Sequence, residues 1–192
     1  MIPVSISVLT ICGIEELPAQ SKRSVSHVLS VLDPELPEIA TFADYGEHHR
    51  TTLRFHDIID PADGRVMPER EHVESILKFG EELRASKEAR EDGHLLVHCH
   101  MGISRSTAAM VTLMSQVEPE LSDDELFARL RTIRPQAWPN SVMIAFADDL
   151  LGRKGRLIEA LRGHYRHQLV AQPKYREWMP SLGRGREVDM AL

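Results

Sequence analysis

The sequence predicts an α/β fold, a short central sheet of four to five strands flanked by helices. Three observations predict it. Short apolar, β-branched segments alternate with turns and helical stretches through the first half of the chain. The second half reads as a succession of amphipathic helices. Between the halves, the apolar stretch Leu95-Leu96-Val97 runs through His98 into Cys99, and a helical apolar stretch over Thr107–Met114 follows within a few residues. Interleaved strands and helices bury their apolar faces by layering helices on a sheet.

Val4-Ser5-Ile6-Ser7-Val8 alternates with period two and predicts a first strand, ended by Cys12-Gly13. Ile14–Leu17 fits a short helix stopped by Pro18. Val25–Leu32 is β-branched and apolar, as a buried second strand should be, and Asp33-Pro34 closes it. Thr51–Ile59 predicts a third strand, with Leu53 and Phe55 on one face. After the turn at Pro61–Gly64, Glu69–Ala89 predicts a long helix with Val73, Ile76, Leu77, Gly80 and Leu83 on one side. Its charged end, Lys87–Asp92, reads as a solvated face, and Gly93 breaks it before the Leu95–Val97 strand.

Downstream, Thr107–Met114 is apolar nearly all round, which suits a central buried helix. Ser122 and Glu125 form a capping box ahead of Leu126, Phe127, Leu130 and Ile133. Asn140 caps a helix over Ser141–Leu151, Gly152 and Gly155 punctuate, and a last helix starts at Arg156. Trp138 and Trp178 read as packing anchors. One domain is expected over residues 1–172, followed by a loosely held tail, 173–192, rich in Arg, Gly and Pro.

Net charge is −6, which argues against a nucleic-acid binder relying on bulk positive charge. No apolar run of about 18 residues is present, so no membrane span is expected. The start of the chain lacks a basic, long-apolar secretory signal. Two cysteines, Cys12 and Cys99, make no disulfide framework. A reducing cytoplasm is the expected location.

The segment from Cys99 to Ser106 carries the chemistry. A loop that opens a helix points backbone N–H groups inward, and the helix dipole adds partial positive charge, so it suits an anion. Arg105 supplies a planar fork for two phosphoryl oxygens. Among such donors the Cys99 thiol loses its proton easily and becomes a nucleophile aimed at phosphorus. Gly102 gives the loop freedom to curl, and Ser106 can hydrogen-bond the sulfur.

His98-Cys99, five residues and Arg105-Ser106 resemble the signature of the cysteine-based protein tyrosine phosphatases, and the short chain is most similar to the dual-specificity branch. Arg134-Pro135 and Pro139-Asn140 resemble the Arg-Pro and Pro-Asn stretch downstream of that signature, extending the resemblance over roughly Val4 to Leu151. The resemblance implies a three-layer fold and hydrolysis of a phosphorylated protein or small phosphomonoester through a phosphocysteine on Cys99. It implies phosphate binding by His100, Met101, Gly102, Ile103, Ser104 and Arg105, with His98 steadying the loop and Ser106 assisting departure of the sulfur. No metal or organic cofactor is implied, since fixed donors do the neutralising.

The family also uses an Asp on a loop before the helix preceding the cysteine strand as general acid, and Asp57, Asp60 and Asp63 lie there. Asp57 ends a predicted strand and can project over the sheet edge. Asp60 and Asp63 sit in Asp-Pro and Asp-Gly pairs that turns favour for local reasons. Asp57 is therefore preferred, with Asp60 left open.

Other readings compete. His94, His98 and His100 surround Cys99, but on an extended strand His98 and His100 share one face while Cys99 points to the other, against a metal site. Cys12 reads as a buried strand-end residue, or as a resolving thiol for Cys99. His48, His49, Arg50 and Arg54 read as a basic rim or a solvated strand start. A rhodanese-type sulfurtransferase and a catalytically weak phosphate-binding module are the alternative functions. The loop contains no Lys, which disfavours a phosphoinositide.

Overall fold

Parallel pairing of four strands puts their C-terminal ends on one edge, and this edge organises the molecule. The computed structural model describes residues 8–85 and 93–192. Its strands are β1 (Val8–Cys12), β2 (His27–Leu32), β3 (His49–Arg54) and β4 (His94–His98), in the order β1-β4-β2-β3. All three pairings are parallel, with Cys12 opposite His98, Ser30 opposite His98 and Leu32 opposite Arg54. Every residue of β2 and β4 is buried, as expected for inner strands covered on both faces.

Side-chain alternation divides the core into two. Ile11, Leu29, Val31, Leu53, Leu95 and Val97 face the larger part. It is covered by α2 (Arg70–Ala85), α3 (Arg105–Val117), α4 (Asp123–Ile133), α5 (Ser141–Leu150) and α6 (Arg156–Ala171). Cys12, Val28 and Leu96 point the other way, against Leu17 of the short α1 (Leu17–Gln20) and Phe42 of a 3₁₀ turn over Ala40–Asp44. The three-layer α/β expectation therefore holds, with four strands among the described residues.

α3 is buried from Arg105 to Ser115, and its hydroxyls are satisfied locally: Thr112 Oγ1 donates to the Ala108 carbonyl at 2.9 Å. The predicted caps form. Ser122 Oγ accepts from the Glu125 amide, and Asn140 Oδ1 accepts from the amides of Val142 and Met143. Each such cap is worth about 1 kcal/mol.

Several expectations are corrected. The first described strand covers Val8–Cys12, past the end of the expected Val4–Val8, and pairs along its length with the five-residue β4; residues 4–7 of the expected segment lie outside the described residues. Pro18 does not stop a helix but sits in the first turn of α1, where a missing N–H costs nothing. β3 ends at Arg54 rather than Ile59, since the Phe55 carbonyl turns to Arg105 and the His56 amide donates to Val66. The long helix is described to Ala85, and the charged stretch 86–92 lies outside the described residues. The tail is not loosely held. It forms α7 (Tyr175–Ser181) and α8 (Gly185–Met190), burying Tyr175, Met179 and Ala191 in the main core.

Candidate active site

The C-terminal edge of the sheet gathers the loops after β1, β2, β3 and β4, and so brings Glu16, Asp33, Asp57 and Cys99 into one region. Cys99 follows β4 directly and is 2% exposed. Its Sγ lies 3.1 Å from Ser106 Oγ in the first turn of α3.

The loop between them is held from outside by its carbonyls. The His100 carbonyl accepts from the Ile14 amide at 2.9 Å, and that of Ile103 from the Trp138 amide at 2.8 Å. Arg134 donates to the Met101 carbonyl at 2.9 Å and to that of Gly102 at 3.0 Å. In a trans peptide the following N–H points opposite to the C=O. Four successive outward carbonyls therefore turn the amides of Met101, Gly102, Ile103 and Ser104 inward, toward the mouth of α3. Gly102 is needed for the curl: its φ is +67°, and a Cβ there would stand 2.4 Å from the Cys12 carbonyl carbon. Met101 is 56% exposed on the rim.

Arg105, the first residue of α3, is 2% exposed. Its Nη1 donates to Asp33 Oδ1 at 2.7 Å and to the Phe55 carbonyl, while its buried Nε has no hydrogen-bond partner among the described residues. Asp33 thus steers one edge of the fork and leaves a donor unsatisfied. Asp33 is itself placed by Arg54, which donates to the Asp33 carbonyl at 3.2 Å and the Leu36 carbonyl at 2.6 Å. Arg50 pairs with Glu38 at 2.7 Å and lies over the Phe42 ring. These arginines brace the loop after β2 and form no basic rim.

Of the three candidate carboxylates only Asp57 touches the loop. Its Oδ1 accepts from Ser104 Oγ at 2.7 Å, from Asn140 Nδ2 at 3.0 Å and from Arg184 Nη1 at 3.0 Å. Burial pushes the carboxyl upward, but the guanidiniums of Arg184 and Arg105 and the two neutral donors outweigh it and hold it below the usual carboxylate range. About 30% of its side chain stays exposed. Asp60, 60% exposed, pairs with Arg186 at 3.0 Å, and Asp63 is exposed on its turn.

His98 is fully buried, with Nε2 2.6 Å from Ser30 Oγ on β2. Burial drives its pKa down to about 4, so the ring is neutral. That bond ties the end of β4 to the neighbouring strand β2. His100 lies 3.8 Å from Asp33, and His94 bonds Thr10 at 2.8 Å, so the three histidines have separate partners. Cys12 is 1% exposed, and burial raises its thiol to about 12, leaving it protonated. Asp33, Glu35 and His56 bring ligand atoms within 4.8 Å of one another, but Asp33 is engaged by Arg105 and His56 by Glu35 and the Val66 amide.

Sequence reasoning missed several participants. Glu16 takes a bidentate grip on Arg134, and Asp33 orients Arg105. Asn140 was legible as a cap but not as a donor to Asp57. Trp138, taken as a packing anchor only, also donates its indole N–H to Glu187 at 2.6 Å. Arg184 and Glu187 carried no sequence signal.

Residues 61–151 match the family model described as protein-tyrosine phosphatase. The rat (Rattus norvegicus) dual specificity protein phosphatase 12 is 39% identical over 54 residues, 28% of this chain and 16% of that protein, so the match spans under a fifth of that relative's length. Among solved structures, human DUSP28 superposes with a TM-score of 0.56 at 20% identity, over 80% of this chain and 97% of that one. The human tyrosine phosphatase-like serine/threonine/tyrosine-interacting protein gives 0.52 at 16% identity, over 74% and 87%. At these identities the structural likeness speaks for the fold.

Proposed function

We propose that this chain, a member of the protein tyrosine phosphatase superfamily of dual-specificity type, hydrolyses phosphate monoesters through a covalent phosphocysteine. The observation that carries the reading is the buried Arg105 Nε, without a partner among the described residues, beside a loop whose outward carbonyls turn its amides inward. A buried donor of this kind is satisfied by an anion's oxygen.

In the first step the Cys99 sulfur attacks phosphorus and the bond to the leaving oxygen breaks, its electron pair going to that oxygen. Asp57 delivers a proton to it. The phosphoryl oxygens are held throughout by the loop amides and Arg105, whose fixed positions supply most of the stabilisation. A phosphoryl dianion beside Ser104 places negative charge next to Asp57 and raises its pKa, so the acid carries its proton when substrate is bound. In the second step water attacks phosphorus, Asp57 takes its proton, and the sulfur leaves as thiolate, stabilised by the Ser106 hydroxyl at 3.1 Å.

The substrate class is a phosphorylated protein or small phosphomonoester, turned over where thiols stay reduced. The test is turnover of p-nitrophenyl phosphate against thiosulfate, with C99S as the blank. Phosphate release that C99S abolishes supports the reading. Sulfur transfer from thiosulfate, or phosphopeptide binding without turnover, overturns it.

A further inference from the structure

We propose, resting on the phosphatase reading above, that Arg184 and Glu187 are positioning residues for Asp57: the end of the chain fixes which oxygen of the general acid holds the transferable proton, and against what charge.

Arg184 stands just before α8 and is 4% exposed. One nitrogen, Nη1, spans the site by donating to Asp57 Oδ1 at 3.0 Å and to Ser104 Oγ at 2.9 Å. It therefore ties the acid to the residue that caps α3. With Ser104 and Asn140 also donating to Oδ1, that oxygen is saturated, and a proton on Asp57 goes to Oδ2.

The other edge of the same guanidinium is occupied by Glu187, with Nε to Oε2 and Nη2 to Oε1 both at 2.8 Å. Glu187 is wholly buried and has little freedom to leave, since Trp138 Nε1 donates to it at 2.6 Å and the Ser141 amide at 2.8 Å. An isolated guanidinium at 3.0 Å would lock Asp57 as a carboxylate. Bidentate pairing with Glu187 offsets part of that charge while leaving the hydrogen bond in place. Asp57 is thus oriented by a partly neutralised cation that still holds its carboxyl below the usual range, and it takes up its proton against the negative charge of bound substrate. The other charged or titratable groups near it are Arg105 from α3 and Tyr165 from α6, which lies close to both Asp57 and Glu187.

The readout is the pH dependence of kcat/KM for an aryl phosphate, whose alkaline limb reports loss of the acid's proton. E187Q leaves Arg184 unneutralised, favours the carboxylate, and should move that limb to lower pH. R184Q removes the cation and should move it to higher pH, each by about one unit or more for a charge this close. R184K, which keeps the cation, should lie near wild type. In a D57N background E187Q should produce no shift. Should R184Q not fold, judged by circular dichroism, E187Q and R184K carry the test. Limbs that stay put in E187Q and R184Q, with turnover merely lowered, overturn the inference and leave a structural role. A wild-type protein with no Cys99-dependent turnover overturns the phosphatase reading instead.

Discussion

Glu16 and Arg134, 118 positions apart, form a bidentate ion pair at 2.8 and 2.7 Å, and the same guanidinium holds the Met101 and Gly102 carbonyls. The loop is thus clamped at its outward carbonyls by a side chain from the far end of α4. R134M removes the donors to one buried and one part-buried carbonyl and should destabilise by about 1–3 kcal/mol. It should also lower kcat/KM by roughly 10²-fold, the scale of losing preorganised donors. E16Q keeps one acceptor and turns an NH2 group toward a donor, but Glu16 is nearly half exposed, so it should cost less than R134M, about 1 kcal/mol. Urea denaturation beside aryl phosphate kinetics separates the two effects.

Asp57→Asn should lower kcat by roughly 10²–10⁴-fold, most for phosphate esters with poor leaving groups. Asp60→Asn should change it little, because Asp60 is exposed and engaged by Arg186 away from the loop. A Brønsted plot against leaving-group pKa checks this. If D60N and not D57N steepens the plot, the acid is misassigned.

Gly102→Ala combines a left-handed backbone with a Cβ 2.4 Å from main chain on β1. The strand cannot yield as a flexible side chain would. A cost of at least about 2 kcal/mol is expected from conformation and overpacking together, read as a lower urea midpoint at unchanged slope.

His98 makes stability depend on pH. Its pKa is near 4 when folded and near 6.5 when unfolded, so between these values the unfolded chain binds more protons. Stability from this residue is full above pH 6.5 and is lost as pH falls toward 4, by about 3 kcal/mol. H98N, which cannot titrate, should lessen the slope of the denaturation free energy over that window, leaving the share of the equally buried His164, whose pKa burial drives to about 3.

What could be read from the sequence was local. The Leu95–Val97 strand, the Ser122–Glu125 box and the Asn140 cap depend on neighbours a few positions away, and each is found. The sheet order, the Glu16–Arg134 clamp and the Asp33–Arg105 pair arise only once parallel strands bring distant loops to one edge. The tail misled for a related reason. Its Arg, Gly and Pro content suggests solvation, yet Arg184 is buried because two carboxylates meet it. Charge in a sequence signals exposure only when no partner waits inside.

The docking of α7 and α8 has a practical corollary for anyone trimming the gene. A fragment ending at residue 151 would retain nucleophile and acid, yet Trp138 would lose its stack on Tyr165, 4.3 Å away, and its acceptor on Glu187. Module borders drawn from likeness to relatives therefore fall short of the cooperative unit, and expression plasmids, truncation series and mutant libraries should run through α8.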